Sequence, residues 1–68
     1  MDNKFPYATV FLEPGANATA IANILRDRGL AQYCYIFPDK KTIDVLLDRK
    51  YLPAIGNMRG VEKATENV

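Results

Sequence analysis

Apolar and polar positions change period several times along the chain. Between Tyr7 and Glu13 they alternate, with Ala8, Val10 and Leu12 on one side and Tyr7, Thr9 and Phe11 on the other. Pro14-Gly15 then stops the run with turn chemistry, so this period of two predicts a strand. From Asn17, a residue suited to an N-cap, Ala18, Ile21, Ala22 and Leu25 follow i, i+3, i+4, i+7 spacing, with Ile24 beside them. That spacing predicts a helix over Ala18 to Arg28 whose apolar stripe faces a sheet, and Gly29 stands where a left-handed residue would end it. Gln32 to Phe37 and Thr42 to Asp48 alternate again, separated by Pro38-Asp39-Lys40-Lys41, the length of a four-residue hairpin loop. A second, shorter helix is predicted from about Tyr51, with Pro53 in its first turn, where a missing N–H costs nothing. Leu52, Ile55 and Met58 would anchor this helix and Gly60 would end it. Val61 to Glu66 has only Val61 and Ala64 as apolar residues and reads as an edge strand or a frayed tail.

Strand, helix, strand, strand, helix, strand is the βαββαβ order of an α+β, ferredoxin-like domain, with one antiparallel sheet and two helices on one face. No linker, repeat or low-complexity tract interrupts it, so residues 1–68 read as a single domain. A domain of 68 residues buries roughly 60% of its unfolded surface and needs reinforcement. With no His and one Cys, neither a metal nor an internal disulfide supplies it, which leaves self-association. The Met1 to Lys4 start has no apolar h-region, and Thr19 and Asn23 interrupt the most apolar stretch, Ala18 to Leu25. Neither a signal peptide nor a membrane span is expected, and a cytoplasmic location follows. A net charge of +1 supplies no long-range field for nucleic acid or anionic lipid.

The catalytic inventory is thin. There is no His for general-base work at neutral pH and no Ser, and Cys34 lies inside an apolar strand on the side predicted to face the core. No catalytic residue is assigned and the chain is read as non-enzymatic. Asp44 and Asp48, four apart on one predicted strand, share a face but stand roughly 13 Å apart, too far to act as an acid/base pair. No carboxylate spacing matches a calcium loop and no Gly-rich phosphate cradle is present, so no metal or cofactor is expected.

The surface is more informative. If Ala8, Val10 and Leu12 face the helices, Tyr7, Phe11, Tyr33, Tyr35 and Phe37 lie together on the open side of the sheet. Thr42, Asp44, Leu46 and Asp48 join them from the third strand. Open-sheet aromatics are how RRM domains stack RNA bases, and a small RNA-binding domain is the alternative reading. Carboxylates on the central strand repel phosphate, so nucleic acid is the less favoured partner. Aromatics are enriched at protein interfaces, which favours another protein as the partner. The candidate binding residues are therefore Tyr7, Phe11, Tyr33, Tyr35, Phe37, Asp44 and Leu46. The Tyr33 to Phe37 edge has no charge and no proline before Pro38, which predicts a homodimer through it.

The order of elements, together with Ile43 through Val-Leu-Leu-Asp, the short helix with Leu52 and Ile55, and Val61-Glu62-Lys63-Ala64-Thr65-Glu66-Asn67, resembles the propeptide and inhibitor family of subtilisin-type proteases. The resemblance covers most of the chain as a pattern. It implies an open sheet that packs on surface helices of a protease, with Tyr33, Tyr35, Asp44 and Leu46 in the docking face. Thr65 to Val68 would be the tail that lies in the cleft. The same size and the same lack of catalytic groups suit a phage- or mobile-element-encoded inhibitor that acts by covering a host complex.

Overall fold

The computed structural model describes residues 7–67; the expectations for Met1 to Lys4 and for Val68 lie outside that range. Strands β1 (Tyr7–Leu12), β2 (Tyr33–Ile36), β3 (Thr42–Leu46) and β4 (Val61–Glu66) form one antiparallel sheet in the order β2-β3-β1-β4. Helix α1 (Ala18–Asp27) joins β1 to β2, and α2 (Leu52–Gly56) joins β3 to β4 after a single 3-10 turn at Arg49–Tyr51. This is the α+β, ferredoxin-like arrangement that the alternation predicted.

Each boundary has a local cause. Pro14-Gly15 makes a turn closed by the Ala16 N–H on the Glu13 carbonyl at 3.0 Å, with Gly15 at φ +84°, the value the third residue of a type II turn needs. The Asn17 side chain accepts from the Ala20 N–H at 3.0 Å and caps α1. At the other end Leu30 donates to the Leu25 carbonyl and Gly29, at φ +70°, donates to the Arg26 carbonyl. These are the paired bonds of a Schellman motif, and they end α1 as Gly29 predicted.

The core lies between the inner sheet face and the helices. Ala8, Val10, Ile43, Val45, Leu25 and Ile55 are fully enclosed, and no polar side chain is buried with them among the described residues. Burying a Val, Leu or Ile side chain contributes roughly 1.5–3 kcal/mol, and this apolar layer opposes the chain entropy of folding.

Two expectations need correction. β3 ends at Leu46, and Asp48 does not share the open face: its carboxylate accepts from the Lys50 N–H at 3.1 Å and caps the 3-10 turn. Gly60 does not end α2, which stops at Gly56 with Asn57 as its cap. Gly60 instead turns the chain into β4 at φ +89°, where a Cβ would stand 3.1 Å from Ile21 Cδ1. Of the two readings of Val61–Glu66 the edge strand is the one that forms, six residues along β1 with one register shift near Leu12.

Candidate protein interface on the open sheet

Strand register sets the open face. β1 is central, and its even-numbered residues Ala8, Val10 and Leu12 are buried under the helices, so Tyr7, Thr9 and Phe11 point the other way. Pairing extends these into three rows across the sheet. Tyr33, Leu46 and Tyr7 form the first; Tyr35, Asp44, Thr9 and Thr65 the second; Phe37, Thr42, Phe11 and Lys63 the third. All seven predicted residues therefore lie on one face. Tyr33, Tyr35 and Tyr7 are 53%, 47% and 47% exposed, far more than an apolar ring needs for packing within its own domain.

The rings are held in place by local contacts. Tyr35 and Phe37 meet edge to face, with centroids 5.2 Å apart and planes at 77°. Lys63 Nζ lies 5.0 Å from the centre of the Phe11 ring. Between them Asp44 is half-buried, and one carboxylate oxygen accepts from the Thr9 hydroxyl at 3.0 Å. That Thr9 oxygen in turn accepts from Asn67 Nδ2 at 2.8 Å. Among the described residues the second Asp44 oxygen has no hydrogen-bond partner, and Asp44 and Lys63 are the charged side chains that the three rows contain. A carboxylate fixed at the centre of an aromatic field can accept a cationic side chain whose alkyl stem lies against the rings.

The sequence reading missed Thr9, Lys63, Thr65 and Asn67. The signal was present in the alternation of Lys63 and Thr65, but it is usable only once Val61–Glu66 is accepted as a strand. Thr65 and Glu66 pair with Thr9 and Ala8 inside β4, so over these two residues there is no free tail.

Cys34 lies on the opposite face, half-buried and not fully enclosed as predicted, with Sγ 4.0 Å from the Ala22 carbonyl oxygen. Burial pushes its thiol up and the Arg26 charge pulls it partly back, which favours the neutral, weakly nucleophilic form. Among the described residues no three His, Cys, Asp or Glu side chains cluster as metal ligands, and no helix is long and apolar enough to cross a membrane. A shallow groove at the far side of the sheet runs between α2 and β4, lined by Leu52, Pro53, Gly56, Lys63 and Ala64. At its end Arg49 binds Glu66 through two bonds of 2.9 and 2.7 Å.

Comparisons with protein-family models, with characterised proteins and with solved structures found no match.

Proposed function

We propose that this domain is a non-enzymatic protein-binding module, an inhibitor or adaptor that covers a partner with its open sheet. The observation that carries the reading is one carboxylate, Asp44, seated among exposed rings with an oxygen left unpaired among the described residues. The partner it fits is a protein surface of apolar character that presents an Arg or Lys side chain to Asp44. Rings supply the buried area, and the ion pair fixes orientation. Protease inhibition and the covering of a host complex are both special cases of this docking mode.

RNA binding fits less well. The central strand β3 offers Thr42, Asp44 and Leu46 to the open side, with no ring to stack a base and a negative charge where phosphate would approach.

The test uses residues away from β2. Tyr7→Ala and Asp44→Asn should each weaken a captured partner by at least about 1 to 2 kcal/mol, as expected for interface anchors, while the melting temperature changes little. Asn23→Ala, on the exposed side of α1, should leave capture unchanged. Retention of the same proteins by all three baits would remove the open face as the docking site. Binding to single-stranded RNA that weakens steeply with salt would favour the alternative instead.

A further inference from the structure

We infer that β2 is a self-pairing edge. Two copies of the chain join along it in an antiparallel, two-fold arrangement centred on Tyr35, making one continuous sheet of eight strands. This inference stands apart from the partner reading, because it uses the strand's backbone and not the carboxylate of Asp44.

The hydrogen bonds fix which backbone groups are free. Phe37 donates to the Thr42 carbonyl at 3.1 Å and its own carbonyl accepts from the Lys40 N–H at 2.8 Å, so in an antiparallel ladder Tyr35 turns its N–H and C=O toward β3, and Cys34 and Ile36 turn theirs outward. The free stretch is bounded on both sides. The Gln32 N–H is already spent on the Leu46 carbonyl at 2.7 Å, and Pro38 has no N–H. The edge therefore offers two donors and two acceptors, on Cys34 and Ile36.

One symmetric register uses all of them. When Tyr35 faces its own twin, Cys34 of each copy pairs with Ile36 of the other, and four hydrogen bonds form. Centring on Cys34 would ask Gln32 for an N–H it no longer has. Centring on Ile36 would ask the same of Pro38.

The side chains fit the same register. On the open face Tyr33 comes opposite Phe37 of the second copy, Tyr35 opposite Tyr35, and Phe37 opposite Tyr33, so every cross-strand pair is aromatic. No charge lies between Tyr33 and Phe37 to oppose this. Asp44 of each copy then stands three strand spacings from its twin, roughly 14 Å, with the two Tyr35 rings between them. The dimer carries a doubled docking face.

Sedimentation at micromolar concentration should give twice 7.6 kDa. Tyr35→Lys, which opposes two ammonium groups at the two-fold axis, should reduce that to 7.6 kDa, and Thr65→Lys on β4 should not. The register has its own readout, which also decides the matter if Tyr35→Lys does not fold. In a Cys34→Ala background Tyr35→Cys puts two thiols in a non-hydrogen-bonded pair with Cα atoms about 4.5 Å apart, within disulfide range, and should cross-link on mild oxidation. Tyr33→Cys in the same background lies four residues, roughly 13 Å, from its twin and should not cross-link. A 7.6 kDa species at all micromolar concentrations, a dimer that survives Tyr35→Lys, or equal cross-linking by the two cysteine variants would each overturn the inference.

Discussion

The two edges of this sheet are built to opposite specifications. β4 presents Glu62, Lys63 and Glu66 along its length, with Arg49 clamped on Glu66, and α2 lies over its inner face. Helices lie over the inner faces of both edge strands, so the difference is in charge, and charged side chains along an edge are a usual means by which a protein prevents a free strand from recruiting another. β2 has neither charge nor proline from Tyr33 to Ile36, and its outward backbone groups are framed by rings on the open side. The lesson is that aromatic content alone does not mark a surface for association. What separates the edges is that one carries devices against pairing and the other lacks them.

If β2 is an interaction edge and not a loosely held strand, the packing behind it should be as firm as that behind β4. Leu25 under the β2 side and Ile55 under the β4 side are both fully enclosed. Leu25→Ala and Ile55→Ala should each cost about 2 to 5 kcal/mol in chemical denaturation, the largest effects expected here. A cost below about 1 kcal/mol for Leu25→Ala alone would mean that β2 is poorly anchored, and the contrast between the edges would collapse.

Much of this contrast was legible in the chain. The uncharged Tyr33 to Phe37 run and the face shared by Tyr7, Phe11, Tyr35 and Asp44 follow from period-two alternation, which the structure keeps because the alternate residues have a core to enter. Asp48 was misplaced for a specific reason. Ile43, Val45 and Leu47 continue the alternation into the core, since all three are buried, but the Asp48 side chain accepts from the backbone N–H of Lys50, two residues on, and caps the 3-10 turn where the chain leaves the sheet. Low apolar content left β4 open between an edge strand and a frayed tail, and the edge strand forms. It forms because the second edge of β1 must satisfy its backbone groups, a demand that comes from the partner strand.

The guarded edge should also show a smaller, pH-dependent signature. The hydrogen bonds from Arg49, with its charge, hold the Glu66 carboxyl below its ordinary value against the opposing effect of burial. A carboxyl depressed on folding stabilises the protein above its unfolded pKa of about 4.3, and that contribution disappears as pH falls through the lower folded value. Both side chains contact water, so the effect is small and salt-sensitive. Arg49→Ala should therefore lower the melting temperature slightly at neutral pH, and the gap to the unmodified protein should close below about pH 4. A gap that is constant down to strong acid would show that Arg49 acts through packing and not through Glu66.

Residue-resolved amide exchange compares the two edges within a single molecule. Cys34 and Ile36 on β2, and Ala64 and Glu66 on β4, all direct their N–H groups away from the sheet, as the alternation set by Phe37 and Asn67 requires. With rising protein concentration, Cys34 and Ile36 should become progressively protected while Ala64 and Glu66 continue to exchange freely. Equal exchange at all four amides, unchanged by concentration, would contradict the claim that β2 is an interaction edge and β4 a guarded one.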